Sequence, residues 1–275
     1  MENLPSTLAT LLASETQDAD RSALFVELVT MPITSDLLGE VARVLTERMV
    51  PVHLPGVEID TCGTGGSGKQ RINTSTMVAF ILAACGVKVG KHGNKAATGR
   101  CGCFDLLSAL DIKIDLTPLQ EEKIYSELGI AFLFAPLHHP SLKYIAPLRK
   151  AYGKRTIFNL LGPLLSPANV PRQLLGTGGI VTAELLAKVL QKQHKYGSKI
   201  VVGSDGLDEV TVTGPTSIFT IEKNISREEW NPSILGFPYF SAAEIEGGSI
   251  EKNMEIFHNV LQGDGSPAHT ALTLC

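Results

Sequence analysis

Between Val57 and Cys85 the chain runs from a short apolar stretch through a dense glycine cluster into a second apolar stretch, an order that few folds accommodate. Gly63, Gly65, Gly66 and Gly68 set four glycines into six positions directly after Val57–Asp60. Glycine lets a backbone turn tightly and aim bare N–H groups at one point, which suits an anionic phosphate. Asn73, Ser75 and Thr76 follow, where a helix over Met77–Cys85 is expected to begin. Free N–H donors and the positive end of the helix dipole lie at such a start. The order predicts strand, phosphate-binding turn and helix. The plainer alternative is a glycine-rich turn that binds nothing.

Two phosphate-binding designs fit these letters. Gly63-x-x-x-x-Gly68-Lys69 matches the nucleoside-triphosphate P-loop up to its last position, where Ser or Thr should hold magnesium. Gln70 stands there instead, and an amide is a poor magnesium ligand. The rest of the chain favours the other design.

At 275 residues the chain is long enough for one large domain, or a large and a small one. It has 44% hydrophobic and 19% charged residues and a net charge of -4, which argues against a nucleic-acid platform. No apolar run reaches membrane-spanning length, and the amino terminus lacks the basic start and apolar core of a secretory signal. Cytoplasm is the expected compartment. Cys62, Cys85 and Cys275 are isolated, and Cys101-x-Cys103 has neither the spacing nor the second pair of a zinc site. Reduced thiols are expected.

Residues 1–52 read as helices, with Leu37, Leu38, Val41, Val44 and Leu45 at helical spacing after the capping segment Thr34-Ser35-Asp36. Pro51 and Leu54-Pro55-Gly56 mark a boundary. From 53 to 275 strand and helix patterns alternate. Strands are expected at Val57–Asp60, Val87–Gly90, Lys113–Asp115, Ile130–Phe134 and Lys199–Val202, and helices at 75–85, at Gly102–Leu110 and from Thr117 to a stop at Gly129. Thr117-Pro118-Leu-Gln120 combines a cap, a first-turn proline and a capping-box glutamine. The fold class is therefore α/β: a small amino-terminal helical domain, joined in space by part of about 140–170, and a large domain with a mostly parallel sheet. Ligands of such sheets gather beyond the carboxyl ends of strands.

Lys91-His92-Gly93-Asn94-Lys95, continuing to Arg100, concentrates three cations with a histidine and an amide. It reads either as a solvated loop or as fixed positive charge for a pyrophosphate. Asp208-Glu209, beyond the strand Lys199–Val202, reads either as an acidic turn or as a magnesium site, magnesium being a hard cation that takes oxygen ligands. Arg149 suits bidentate binding of a carboxylate or an ordinary ion pair, and His138-His139-Pro140 reads as loop structure at the end of a strand.

Together these segments resemble the anthranilate phosphoribosyltransferase family of nucleoside phosphorylase-like glycosyltransferases. The motifs are Gly63-Thr-Gly-Gly66 with Asn73-x-Ser75-Thr76, Lys91-His92-Gly93-Asn94, Phe134-Ala-Pro136 with His139-Pro140, Arg155-Thr-Ile-Phe-Asn159 through Pro163, and Gly206-Leu-Asp208-Glu209. They stand in family order from about residue 34 to about 220. The resemblance implies a homodimer that moves a phosphoribosyl group from phosphoribosyl pyrophosphate to the amine of anthranilate, in tryptophan synthesis, with Mg2+. It implies that Gly63, Thr64, Gly65, Gly66, Ser67 and Arg71 surround the donor, together with Asn73, Ser75, Thr76, Lys91, Gly99 and Cys103. Gly63, His92, Asn94 and Arg149 would line the path of anthranilate, and Ser75, Asp208 and Glu209 would hold the metal.

The sequence departs from the family pattern at several of these positions. Ser67 replaces an aspartate, Arg71 a threonine, Gly99 and Cys103 two serines, and Lys95 an arginine. Arg71 and Arg100 offer electrostatic compensation with different geometry, and relatives continue through further helices past the position of Cys275. A pyrimidine-nucleoside phosphorylase of the same fold is the rival enzyme, though phosphorolysis has no need of a magnesium pair. A rival of another class is a catalytically weak or silent relative that binds a phosphorylated ligand or a partner.

Overall fold

The computed structural model describes residues 4–65, 71–96 and 101–275. Three helices open the chain: α1 (Leu4–Leu12), α2 (Asp18–Thr30) and α3 (Ser35–Thr46). Thr34 caps α3 by accepting from Leu37 N, and the helix buries Leu37, Leu38, Val41, Ala42, Val44 and Leu45 on one stripe. Full burial of each such leucine or valine is worth about 1.5–3 kcal/mol.

The alternating part follows with β1 (Ile59–Gly63), α4 (Thr74–Ala84), β2 (Val89–Gly93), α5 (Cys103–Ala109), α6 (Pro118–Leu128) and β3 (Ile130–Phe134). Short helices α7 (Ala135–His138), α8 (Ala146–Tyr152) and α9 (Phe158–Leu161) lead to β4 (Arg172–Gly176), α10 (Ile180–Lys192), β5 (Ser198–Gly203), β6 (Thr216–Ile221) and β7 (Ile225–Trp230). Helices α11 (Ile250–Gln262) and α12 (Pro267–Leu274) close the chain. The capping box at Thr117 forms, and Gly129 ends α6 at φ 72°, a left-handed conformation that favours glycine.

Among the described residues the strands form one sheet in the order β3-β2-β1-β4-β5-β6-β7. Neighbours from β3 to β5 run parallel, whereas β6 and β7 are antiparallel. The chain winds outward from β1 in one direction and from β4 in the other, so the order reverses between these two strands. Right-handed crossovers in opposite directions put α4 and α10 on opposite faces, and each face has its own core. Leu38 and Phe25 join Phe158, Leu161, Leu186, Leu190 and Ile200 in one core. Met77 and Leu106 join Ile256, Phe257 and Leu272 in the other.

Several local expectations need correction. The first two strands begin two residues later than the apolar runs suggest, so Lys91 and His92 are strand residues rather than loop. Lys113–Asp115 is not a strand; the chain there is irregular after the left-handed Asp111. His138 ends the short helix α7 rather than a strand.

Candidate functional site

Gly63 and Gly176 are register partners at the carboxyl ends of β1 and β4, where the strand order reverses. A Cβ on Gly176 would overlap the Asp208 carbonyl, and one on Gly63 would lie 2.9 Å from Asp208 Oδ2. Two residues without side chains thus leave room for the loop beyond β5 to fold over the strand ends. Thr64 N donates to Gly176 O at 2.9 Å, and the Thr64 and Thr177 hydroxyls bond at 3.3 Å. Gly65 lies at φ 64°, and Arg155 donates to its carbonyl at 3.2 and 3.3 Å.

Asp208 is 2% exposed and pairs through Oδ1 with Arg71 Nη1, while its Oδ2 is buried with no hydrogen-bond partner among the described residues. Glu209 Oε1 lies 3.8 Å from the same Arg71 nitrogen. Burial pushes the Glu209 carboxyl up to about 7, with Arg71 and Lys91 pulling the other way. Lys91 is buried in β2, where its ammonium donates to Thr61 O and, at 3.2 Å, to Ser75 Oγ. A cavity of about 40 Å3 touches Ser75, Gly176, Asp208 and Glu209. A larger one of about 480 Å3 lies between α3 and α10 and shares none of these residues.

The donor set at the strand ends fits a hard divalent cation: two carboxylates and a hydroxyl, with one carboxylate oxygen buried and unpartnered. The described residues contain no group of three His, Cys, Asp or Glu able to hold a metal. A metal held there would complete its shell with water and substrate oxygens, as magnesium sites commonly do.

Asn73 precedes α4 without a side-chain cap. Its amide bonds the Cys101 carbonyl at 3.3 Å and accepts from Asn253 Nδ2 at 3.0 Å. Thr76 Oγ1 is buried beside the Cys103 thiol. Burial raises the pKa of that thiol, against the pull of Lys91 and Thr76. Gly66, Ser67 and Gly99 lie outside the described residues, as do Lys69, Gln70 and Arg100.

On the acceptor side, His92 Nδ1 lies 3.2 Å from the Gly162 carbonyl and therefore donates to it. Burial, with His139 and His138 adding to it, lowers the His92 pKa to about 3, so the ring is neutral and Nε2 carries a lone pair. That Nε2 is buried and has no partner among the described residues. Arg149, on α8, lies 5.8 Å over the Phe158 ring and makes no ion pair among the described residues. Both side chains meet the α9 region, His92 at Gly162 and Arg149 at Phe158. Asn94 is exposed beyond β2, its Oδ1 accepting from Lys95 N at 2.8 Å.

The Glycosyl transferase family, a/b domain, matches residues 56–275. An anthranilate phosphoribosyltransferase of Rhodopseudomonas palustris is 40% identical over 94% of this chain and 76% of its own length. The chain belongs to the anthranilate phosphoribosyltransferase family. The family's enzyme from Thermus thermophilus has the same fold, with a TM-score of 0.90 and 31% identity over 99% of this chain and 82% of that one. The Saccharomyces cerevisiae enzyme, solved in complex with PRPP and Mg, gives a TM-score of 0.86 at 26% identity, covering 98% of this chain and 79% of that one. Sequence reasoning overlooked Gly176, Asn253 and the pairing of Arg71 with Asp208. The dipeptides Gly63-Thr64 and Gly176-Thr177 each end a strand, and that echo was the available signal for Gly176.

Proposed function

We propose that this chain transfers the phosphoribosyl group of phosphoribosyl pyrophosphate to the amine of anthranilate, the tryptophan-synthesis reaction named for its relatives. The observation that carries the reading is convergence. Lys91 from β2, Ser75 from α4 and Asp208-Glu209 from the loop after β5 meet where the strand order reverses.

Departure of pyrophosphate leaves an oxocarbenium-like carbon, and the barrier falls when fixed positive charge already faces the leaving group. Lys91 provides such a charge, held from within β2 by the Thr61 carbonyl, and would yield the Ser75 hydroxyl it now contacts to the metal. Magnesium held by Asp208, Glu209 and Ser75 would neutralise charge on the departing pyrophosphate. The Gly63–Gly65 turn and Asn73 position the donor, joined by Gly66, Ser67 and Gly99 from the sequence reading. His92 Nε2, a lone pair without a partner among the described residues, accepts from the anthranilate amine and orients it. Arg149, without an ion pair among the described residues, takes the carboxylate. No side-chain nucleophile is needed; positioning two substrates supplies the rest.

The test is product formation from both substrates with and without magnesium, alongside the variant Asp208→Asn/Glu209→Gln. That variant should lose magnesium-dependent donor binding by at least the roughly 10–100-fold that losing an outer-shell partner costs a metal site. A folded chain that forms no product under saturating substrates would refute the reading. We further infer a cytoplasmic homodimer with residues 1–52 as its helical domain. Val26, Ile33 and Val50 support the dimer, being exposed apolar side chains in that region, and light scattering measures it.

A further inference from the structure

The Arg71 guanidinium sits between the two carboxylates assigned to the metal, bonded to Asp208 Oδ1 and 3.8 Å from Glu209 Oε1. We propose that Arg71 is a displaceable internal counter-ion, which occupies the Asp208–Glu209 pair when no metal is bound and moves to the pyrophosphate of the donor when metal enters. The inference rests on the proposed function for the identity of the site, and adds an order of events to it.

The geometry separates what is fixed at Arg71 from what is free. The Arg71 backbone bridges to Glu246, and its carbonyl accepts from Asn253 Nδ2 at 3.2 Å. A Cβ on Gly247 would overlap that carbonyl, so the strip opposite is packed against it. The backbone therefore cannot follow the side chain. The Arg71 side chain is 29% exposed, against 1% for that of Asp208, and can swing outward about its own torsions.

Charge then decides the sequence of binding. A divalent ion ligated by both carboxylates sits about 2 Å from their oxygens, which is within a few ångströms of a guanidinium on the same oxygens. Like charges at that separation in a part-buried site repel strongly, so metal and Arg71 exclude one another there. A departing guanidinium needs another anion, and pyrophosphate offers the bidentate oxygens that arginine prefers. Metal and donor thus promote one another's binding, each releasing the carboxylates or the guanidinium for the other. The family threonine at this position has no charge to displace.

Mn2+ affinity of the full chain, measured by electron paramagnetic resonance with neither substrate present, tests the proposal. Arg71→Gln, which keeps length and removes charge, should bind Mn2+ about tenfold or more tightly than the parent. Arg71→Lys should stay near the parent, and adding Asp208→Asn to Arg71→Gln should abolish the gain. A folded Arg71→Gln chain with parental or weaker Mn2+ affinity overturns the proposal, and so does a gain that survives Asp208→Asn. Thermal melting of each variant establishes folding. Because no substrate enters the assay, a negative result leaves the transfer reading intact, and failure of transfer leaves a measured gain intact.

Discussion

Asn253 Nδ2 donates to Asn73 Oδ1 at 3.0 Å, tying α11 to the residue before α4 across 180 positions of sequence. The same amide donates to Arg71 O at 3.2 Å, and Asn253 Oδ1 accepts from Gly248 N at 2.9 Å. One buried side chain therefore fixes both ends of Arg71-Ile72-Asn73, the segment between the glycine turn and the helix.

Asn253→Ala should lower stability by about 2–4 kcal/mol, because it strands Gly248 N, Arg71 O and Asn73 Oδ1 at the low end of the roughly 1–3 kcal/mol of a buried unsatisfied group, two of the three being only part-buried. Asn253→Asp keeps the acceptor for Gly248 but loses both donations, and should also raise the donor KM. Urea denaturation with donor titration checks both; an Asn253→Ala chain as stable as the parent would remove Asn253 from this role.

Gly176→Ala should be far more damaging than Gly63→Ala. The added methyl at 176 meets the Asp208 backbone, which cannot yield, whereas at 63 it meets a carboxylate oxygen that can rotate. Melting temperature and Mn2+ binding measured together should rank the two, with Gly176→Ala losing both.

Arg149→Ala should raise the anthranilate KM about ten- to a hundred-fold, the roughly 1.5–3 kcal/mol of a charge-assisted hydrogen bond. Donor affinity should stay near the parental value. Steady-state kinetics with each substrate varied in turn decides the matter, since equal damage to both would assign Arg149 to packing against Phe158.

Acid should weaken the fold through His139. Burial lowers its pKa to about 4, assisted by His138 and opposed by its hydrogen bond to Leu165 O, against an ordinary value of 6.5. Below pH 6.5 the unfolded chain takes up a proton that the native ring refuses until about pH 4, so stability is complete above 6.5 and falls on acidification. The loss by pH 4.5 is about 2–3 kcal/mol, at roughly 1.4 kcal/mol per unit. His139→Gln should flatten the difference in unfolding free energy between pH 7 and 4.5, and an unchanged slope would assign the acid sensitivity to other groups.

Chain-local chemistry is what the sequence determined. Thr34, Thr117, Gln120 and Gly129 act within a turn of where they stand, so the start of α3 and both limits of α6 were legible. The ordered motifs from Gly63 to Glu209 likewise carried the family, and the alternation of strand and helix patterns carried the α/β class. Other features depend on partners distant in sequence. Arg172-Gln-Leu-Leu-Gly176 has too short an apolar run to announce β4, which becomes a strand because β1 and β5 bond it on both sides. The hairpin of β6 and β7 is hidden in the same way, since four of the six β7 side chains face solvent and give no apolar pattern. Arg71 reaches Asp208 across 137 positions, a separation at which charge alone predicts no partner. Only the folding of the loop beyond β5 into the space left by Gly63 and Gly176 brings that carboxylate to the arginine, because packing rather than sequence spacing sets which opposite charges meet.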